Sequence, residues 1–386
     1  MRVVHISTLH PALDVRIFHK ECRTLAAAGH ELHLVVRDPP CTELDGVHFH
    51  GLPPAMGRRP LRIWSRLRNT YRCAAALRAD VYHFHDAELV PVARKLRRDG
   101  ARVVYDVHED SPLEVLSLNR GTYAWAKHMA FRMLWRSARR FVDAFVCATP
   151  AIARLFPADR TITVHNYPLR REFVHSTAGG ADRGDMRIIA YVGIISAIRG
   201  AREMVRAMEL LPESLNARLM LIGECHPPDF ESALRSLPGW GRVEFIHWLP
   251  REKLFAQVAK ACCGLVMFQP GPNHLEALPN KIFEYMAAGL PIIASDFPLW
   301  RSLIEQVRCG VVANPVDAGA ISRAIQFVLE NPDKADQMSI HGREAVMATF
   351  NWEAEGKKLV QLYAGLAARL GITSATSKAN WNQPAT

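Results

Sequence analysis

The sequence has no long hydrophobic run. No window approaches the roughly 20 uncharged apolar residues that a membrane span needs. The apolar stretch 3–6 is too short for the hydrophobic region of a secretory signal, and it predicts a first β-strand instead. We therefore expect a protein that acts in the cytoplasm.

Several metal and cofactor signatures are also missing. The eight cysteines are irregularly spaced without a Cys-x-x-Cys pair, so we expect reduced and mostly buried thiols. Gly-x-Gly-x-x-Gly is absent, which argues against a nicotinamide or flavin enzyme. Asp-x-Asp is absent too, and we expect no metal. One alternative stays open: His83 and His85 share one strand face, and His108 follows the next strand, so the three would form a metal site if they met.

The composition is that of a soluble globular protein, with 49% hydrophobic and 22% charged residues. A length of 386 residues predicts two domains. The net charge is +10, and the excess of Lys and Arg lies almost entirely in the first 185 residues. A one-sided basic surface favours an acidic partner, either an anionic membrane or a nucleic acid. A nucleic acid ranks last because no nucleic-acid-binding module is recognisable.

Strands alternate with helices along the chain, which predicts doubly wound, mostly parallel α/β sheets. The predicted strands of the first half are 3–6, 32–36, 81–84, 103–105 and 141–148. The series restarts with strands 188–192, 219–222, 243–246, 264–268 and 291–295. The predicted organisation is a domain at 1–172, a linker at 173–186, a domain at 187–352, an amphipathic helix at 353–370 and a disordered polar tail at 371–386.

Two glutamates, Glu276 and Glu284, flank the start of a predicted short helix. Asn280 is a good first residue for this helix, and Gly289 is a good stop. The free N–H groups and the dipole at such a helix start favour an anion such as a diphosphate. Lys281 adds a positive charge there. Isolated glutamates at this spacing are usually surface residues, but this context favours a binding site.

The segment 279–291, Pro-Asn-Lys-Ile-Phe-Glu-Tyr-Met-Ala-Ala-Gly-Leu-Pro, resembles the E-x7-E signature of the retaining glycosyltransferase family 4, in a PNKxFEYMAAGxP form. Other segments resemble the same subtype, in the same order, up to about residue 365: 5–11, 14–21, 85–86, 105–110, 166–168 and 350–352. The resemblance implies the GT-B fold. This fold has two Rossmann-like domains facing across a cleft, here an acceptor-side domain followed by a nucleotide-sugar-binding domain, with the final helix returning to the first.

The resemblance also assigns roles around the donor. It implies that Glu276 binds the hydroxyl groups of the donor sugar and that Glu284 binds the ribose. The second domain's first strand is followed by a loop that begins at Gly193. In this loop, Arg199 occupies the position of a phosphate-binding cation.

The family usually has a second cation at the position of Ile194, and we expect Lys281 to supply the missing charge. Asn280 and Ile282 belong to the same predicted nucleotide-binding segment.

The resemblance places a second group of residues in the first domain. It implies that His108 faces the donor sugar near the reacting carbon, and that His85 and Asp86 line the acceptor side.

The first loop of the chain departs from the family pattern. Many relatives carry Gly-Gly there, beside the donor phosphate, whereas this chain has residues 9–16, Leu-His-Pro-Ala-Leu-Asp-Val-Arg. His10, Asp14 or Arg16 takes over part of that role, and the choice between them stays open. Asp14 and Arg16 also count among the predicted acceptor-side residues.

Two basic segments, 58–72 and 125–140, carry aromatic residues at helical spacing among Lys and Arg. Such helices either lie on anionic lipid or bury the aromatic stripe in the core and leave the basic face solvated. The sequence does not decide between these alternatives.

The sequence thus predicts a retaining transferase that uses a UDP- or GDP-sugar and no cofactor. The expected acceptor is a glycan or a polyprenyl-diphosphate-linked glycan in polysaccharide or glycoconjugate biosynthesis. The location would be the cytoplasm, with peripheral binding to the inner face of the plasma membrane as an open alternative. A GT-B sugar-nucleotide epimerase is the main alternative activity, followed by a basic nucleic-acid-binding protein.

Overall fold

The computed structural model describes residues 1–54, 59–109, 112, 121–173 and 186–372. The chain divides into two compact units, one formed by Met1–Asn166 and Trp352–Thr386 and the other by Tyr167–Asn351. The first boundary lies before the predicted residue 172, because Tyr167 and Phe173 belong to the second unit's core. The predicted linker and tail lie almost wholly outside the described residues.

The first unit is built on an eight-stranded sheet with the order β3-β4-β2-β1-β5-β6-β7-β8. All neighbouring strands pair in parallel except β3 and β4. The strands are β1 (Arg2–Ile6), β2 (Glu31–Val36), β3 (Glu43–Leu44), β4 (Val47–Gly51), β5 (Val81–Phe84), β6 (Arg102–Val107), β7 (Ala144–Cys147) and β8 (Thr161–Thr163). The winding reverses between β1 and β5, and ligands bind at the carboxyl ends of strands at such a reversal.

Helices of the first unit connect these strands. The described ones include Val15–Cys22, which is a π-helix and continues as Arg23–Ala27, then Arg59–Ala76, Val90–Arg98, Thr122–Phe141, Pro150–Ala153 and Trp352–Arg369. The strands carry near-continuous apolar runs because helices cover both faces of a doubly wound sheet.

The second unit has a six-stranded parallel sheet with the order β11-β10-β9-β12-β13-β14. Its strands are β9 (Arg187–Val192), β10 (Ala217–Ile222), β11 (Val243–Ile246), β12 (Ala261–Val266), β13 (Ile292–Ser295) and β14 (Gly310–Ala313). Its helices are Ala201–Leu210, Phe230–Arg235, Arg251–Val258, Pro272–Leu275, Asn280–Ala287, Pro298–Val307, Ala318–Glu330 and Pro332–Ala348. The reversal here lies between β9 and β12. The predicted architecture of two doubly wound α/β domains is confirmed.

The last helix, Trp352–Arg369, packs on the first unit. The indole N–H of Trp352 donates to Thr24 Oγ1 at 2.8 Å. The Tyr363 hydroxyl lies 3.0 Å from Nδ1 of the buried His83. The predicted return of this helix to the N-terminal domain is therefore confirmed.

The two basic aromatic helices bury some of their aromatic residues and expose others. Trp135 is buried, and its indole N–H donates to the Tyr105 hydroxyl at 3.2 Å. Trp64 and Trp125, by contrast, are 59% and 63% exposed. Helix Val90–Arg98 packs against both Arg59–Ala76 and Thr122–Phe141. Among the described residues, no helix is both long and apolar enough to traverse a bilayer.

The contact between Tyr363 and His83 predicts a stability effect. Tyr363→Phe leaves the buried Nδ1 of His83 without this partner, so we expect the free energy of unfolding to fall by about 1–3 kcal/mol. Urea denaturation measures the change. Tyr123→Phe, which removes the hydroxyl of a 53% exposed tyrosine, is the matched control. Equal stabilities for the two variants would contradict the anchoring role.

Candidate functional site

The loop after β9 is shaped by a close approach of Lys281 to Gly193. Gly193 has a φ of +116°, and a Cβ at this position would lie 2.6 Å from the Lys281 ammonium nitrogen. The hydroxyl of Tyr285 accepts the backbone N–H of Val192 at 3.0 Å, which joins helix Asn280–Ala287 to the end of β9. Glycine is therefore required here both by the backbone conformation and by the space that Lys281 occupies.

Arg199 and Lys281 lie on one aromatic ring. The guanidinium carbon of Arg199 is 4.0 Å from the ring centroid of Phe268, and the Lys281 nitrogen is 5.9 Å from the same centroid. Burial lowers the pKa of Lys281 to about 8; the charge of Arg199 adds to this effect and that of Glu284 opposes it. These two cations lie at the carboxyl edge of the sheet beside β9 and β12, where an anion would relieve their repulsion.

Glu284 is held by Arg251, which no sequence pattern had indicated. Nη1 of Arg251 lies 3.6 Å from Oε1 of Glu284. The same guanidinium donates to both carboxylate oxygens of Glu172, at 2.8 and 2.7 Å. Burial opposes the charged form of Arg251, but the two carboxylates outweigh it and raise its pKa. No local pattern links these residues, because they meet only through the fold.

The other residues predicted to bind the donor substrate differ in their surroundings. Glu276 is exposed and directly follows helix Pro272–Leu275, and Asn280 is exposed at the start of helix Asn280–Ala287. The Ile282 side chain, however, is fully buried in the core, and its N–H donates to the Pro279 carbonyl oxygen at 3.1 Å. The Ile282 side chain thus packs in the core and its N–H group is bonded within the helix start, which differs from the expectation that this residue contacts the nucleotide.

His274 joins this group without having been singled out in the sequence. Its ring lies 5.0 Å from the ring of Phe268, and its Nδ1 lies 2.8 Å from the Gln269 carbonyl oxygen. Burial lowers its pKa, and the charge of Arg199 adds to this effect. Both effects favour the neutral form of the ring.

In the first unit, Asp106 at the end of β6 orients two of the predicted histidines. Its Oδ2 lies 2.7 Å from Nε2 of His108 and 3.2 Å from Nδ1 of His85. Burial opposes ionisation of Asp106, but Arg16 and the histidines keep its pKa well below the usual value. His108 is partly exposed, whereas His85 is buried. The structure thus brings His85 and His108 together at one edge of the sheet.

Arg16 and Asp14 have structural roles that the sequence did not reveal. The Arg16 guanidinium is buried, donates to both oxygens of Asp106 at 2.8 Å, and donates to the Val164 carbonyl oxygen at 2.9 Å. The Asp14 carboxylate caps the following helix by accepting the N–H groups of Arg16 and Ile17. Arg16 was expected to face an acceptor or a phosphate. The structure corrects this expectation, because the guanidinium is buried and its N–H groups bond to Asp106 and Val164.

Asp86 fixes the loop that follows β1. Its Oδ2 accepts the backbone N–H groups of Thr8 and Leu9 and the hydroxyl of Ser7. Burial opposes ionisation, but contact with His10 and the Thr8 N–H lower the pKa of Asp86 to about 2. The carboxylate therefore stays ionised and ties the ends of β1 and β5 together.

A cluster of possible metal ligands lies deeper in the first unit, with ligand atoms within 4.8 Å of one another: Glu21, His83, His85 and Asp106. It differs from the three-histidine alternative, since two carboxylates replace His108. Nε of Arg16 lies 3.0 Å from Oε1 of Glu21 and also binds Asp106. A guanidinium thus already balances the carboxylates where a metal cation would have to bind. Burial and the charge of Asp106 also raise the pKa of Glu21 well above its usual value, against the opposing effect of Arg16.

Family profiles match both units of the chain. The profile described as Glycosyl transferases group 1 matches residues 178–345, and the profile described as Glycosyltransferase Family 4 matches residues 15–166. The chain is a glycosyltransferase. It carries group 1 and family 4 glycosyltransferase domains.

Curated relatives and solved structures agree with this assignment. Glycogen synthase of Mycobacterium tuberculosis (strain ATCC 25618 / H37Rv) is 22% identical over 96% of this chain and 96% of its own length. A GDP-mannose-dependent alpha-(1-6)-phosphatidylinositol monomannoside mannosyltransferase of Mycolicibacterium smegmatis is 24% identical over 47% of this chain and 49% of its own.

Among solved structures, sucrose-phosphate synthase from Thermosynechococcus elongatus superposes with a TM-score of 0.77 at 21% identity, covering 95% of this chain and 99% of its own. WaaG, a glycosyltransferase involved in lipopolysaccharide biosynthesis, superposes with a TM-score of 0.68 at 16% identity, covering 94% and 100%. This glycosyltransferase therefore has the two-domain GT-B fold.

Proposed function

We propose that this glycosyltransferase moves a sugar from a UDP- or GDP-sugar onto a glycan or polyprenyl-diphosphate-linked acceptor, in polysaccharide or glycoconjugate biosynthesis. The observation that carries the donor class is the pair Arg199 and Lys281 on Phe268, with Glu284 nearby. A nucleoside diphosphate supplies two negative charges for the cations and ribose hydroxyls for the carboxylate.

The cation pair also suits the departure of the nucleoside diphosphate from the donor sugar. Negative charge grows on the diphosphate as the bond to the sugar breaks, and fixed positive groups stabilise that charge without reorganising. An arriving diphosphate favours the protonated form of Lys281, so its pKa rises on binding. The planar guanidinium of Arg199 is able to bind phosphate through two N–H groups.

The two glutamates would then fix the donor. Carboxylates accept hydrogen bonds from paired hydroxyl groups, each contributing about 1.5–3 kcal/mol when charge-assisted. Glu276 would bind the sugar hydroxyls and Glu284 the ribose. Arg251 supports this proposal because it lies 3.6 Å from Glu284 and limits the positions that the carboxylate adopts.

We infer a retaining reaction from the resemblance of the PNKxFEYMAAGxP segment to the family 4 subtype. The acceptor hydroxyl would attack from the leaving-group side, and the departing phosphate would take its proton. Fixed cations would serve in place of a metal ion. His108 would contribute by facing the donor sugar near the reacting carbon.

We also propose that the first unit binds the inner, anionic face of the plasma membrane from the cytoplasm. Helices Arg59–Ala76 and Thr122–Phe141 present Trp64 and Trp125 to solvent beside exposed basic residues. Indole rings insert at the lipid–water interface, and basic residues are attracted by acidic headgroups. Such binding would bring the enzyme to a lipid-linked acceptor.

The donor proposal predicts large losses of turnover when either cation is removed. Arg199→Ala and Lys281→Ala should each lower kcat by about 10²–10³-fold, because each removes one stabilising group of the departing diphosphate. The assay follows nucleotide release from a panel of UDP- and GDP-sugars with a lipid extract. Arg206→Ala and Lys260→Ala, which remove exposed cations elsewhere in the unit, are matched controls. Glu276→Ala should also abolish release.

Two outcomes would contradict the donor proposal. Wild-type turnover in both Arg199→Ala and Lys281→Ala would show that these two cations do not stabilise the departing diphosphate. Conversion of the donor to an isomerised sugar nucleotide without any acceptor would instead identify an epimerase.

The membrane proposal predicts binding to acidic vesicles that depends on the two exposed indoles. Trp64→Ser with Trp125→Ser should lower the fraction that sediments with phosphatidylglycerol-containing vesicles at least threefold, since insertion of both rings is lost. Trp248→Ser, which removes a 69% exposed tryptophan from the second unit, is the matched control. Equal sedimentation of all three proteins would exclude this surface.

A further inference from the structure

A histidine and a buried carboxylate form a pair at the open edge of the first unit's sheet. His10 lies in the loop after β1, and Asp86 lies just beyond the end of the neighbouring strand β5. Nδ1 of His10 lies 3.1 Å from Oδ1 of Asp86 and 3.1 Å from the Ser7 hydroxyl oxygen. The His10 side chain is 29% exposed and that of Asp86 is 1% exposed. One end of the ring is thus held by the protein while the residue remains accessible.

This contact determines which ring nitrogen carries the proton in the neutral histidine. A carboxylate at Nδ1 favours the N–H there, which leaves Nε2 as a hydrogen-bond acceptor. Asp86 is fixed because its other oxygen accepts the N–H groups of Thr8 and Leu9. Within the described part of the chain, no residue bonds Nε2 of His10.

The pair lies beside the histidine assigned to the donor sugar. The ring centroids of His10 and His108 are 4.9 Å apart. His108 is held by Asp106 as His10 is held by Asp86. Two partly exposed histidines, each fixed by a buried carboxylate, therefore occupy one edge of the sheet.

A sugar acceptor is oriented when one of its hydroxyl groups beside the attacking one donates to a fixed partner of this kind, because the attacking oxygen is then held toward the reacting carbon. We propose that Nε2 of His10 accepts a hydrogen bond from an acceptor-sugar hydroxyl adjacent to the one that attacks the donor, with Asp86 as the positioning residue. The proton of the attacking hydroxyl itself goes to the departing phosphate. This role rests on the proposed sugar transfer and adds to it a residue specific for the acceptor.

The charges around His10 set the pH range in which it works. Burial lowers the pKa of His10, but contact with Asp86 and the charges of Asp86, Asp14 and Asp106 outweigh burial and raise it above 6.5. The charged and titratable groups of the neighbouring elements are Asp14 and Arg16 before and within the first helix, Asp86 and Glu88 after β5, and Asp106 and His108 at the end of β6. Protonation occupies Nε2, so transfer should decline as the pH falls through a pKa above 6.5.

The test compares His10→Ala, His10→Gln and Asp86→Asn with the full-length wild-type enzyme. In His10→Ala, kcat/KM for the acceptor should fall about 10²-fold, while calorimetry with UDP or GDP gives an unchanged Kd. His10→Gln should recover part of the rate through its amide oxygen and lose the acidic decline, because the amide does not titrate. Asp86→Asn should shift that decline to lower pH. His48→Gln, which removes another histidine beside a carboxylate, Glu43, is the matched control and should behave as wild type.

Three results would overturn the proposal: wild-type acceptor kinetics in His10→Ala, an unchanged acidic decline in His10→Gln, or loss of nucleotide binding in His10→Ala, which would indicate a structural role. Failure of the wild-type enzyme to bind or turn over any nucleotide sugar would count against the proposed function itself. The two failures are therefore distinguishable.

Discussion

The candidate diphosphate site of the second unit depends on the repulsion between Arg199 and Lys281. Both cations lie on Phe268, and burial together with Arg199 holds the pKa of Lys281 near 8. Two like charges held close together in a folded protein raise its free energy unless an anion joins them. Gly193 leaves room for the ammonium group, and Tyr285 joins its helix to β9. The local structure thus maintains an arrangement that a diphosphate would stabilise.

The first unit depends on a different ion pair, the buried contact of Arg16 with Asp106. This pair compensates a carboxylate that would otherwise be costly to bury, and the carboxylate in turn orients His85 and His108. Asp86 acts similarly on the first loop and on His10. Polar groups at the carboxyl ends of β1, β5 and β6 are therefore fixed by buried charges.

Structural features that depend on neighbouring residues in the chain were predicted from the sequence. The alternation of strands and helices gave the two doubly wound sheets, and helix Asn280–Ala287 begins at the expected residue. Strands β3 and β8 were missed because, at two and three residues, they are too short to show a pattern. Trp64 and Trp135 show the limit of helical periodicity, since one is exposed and the other is buried in the core.

Contacts between residues far apart in the chain could not be predicted in this way. Arg251 reaches Glu172 and Glu284 only because the fold brings three distant segments together. The burial of Arg16 likewise depends on its contact with Asp106, 90 residues further along the chain. Sequence reasoning therefore found candidate donor residues but not the residues that hold them in place.

Proton uptake during nucleotide binding tests the central claim most directly. Calorimetry with UDP and GDP at pH 8–9, in buffers of different ionisation enthalpy, measures the protons taken up per bound ligand. Because the pKa of Lys281 is near 8 in the free protein and should rise beside a diphosphate, we expect uptake of a fraction of a proton in the wild type and none in Lys281→Ala. Binding without uptake, or equal uptake in both proteins, would contradict the claim that Lys281 and Arg199 together receive the diphosphate.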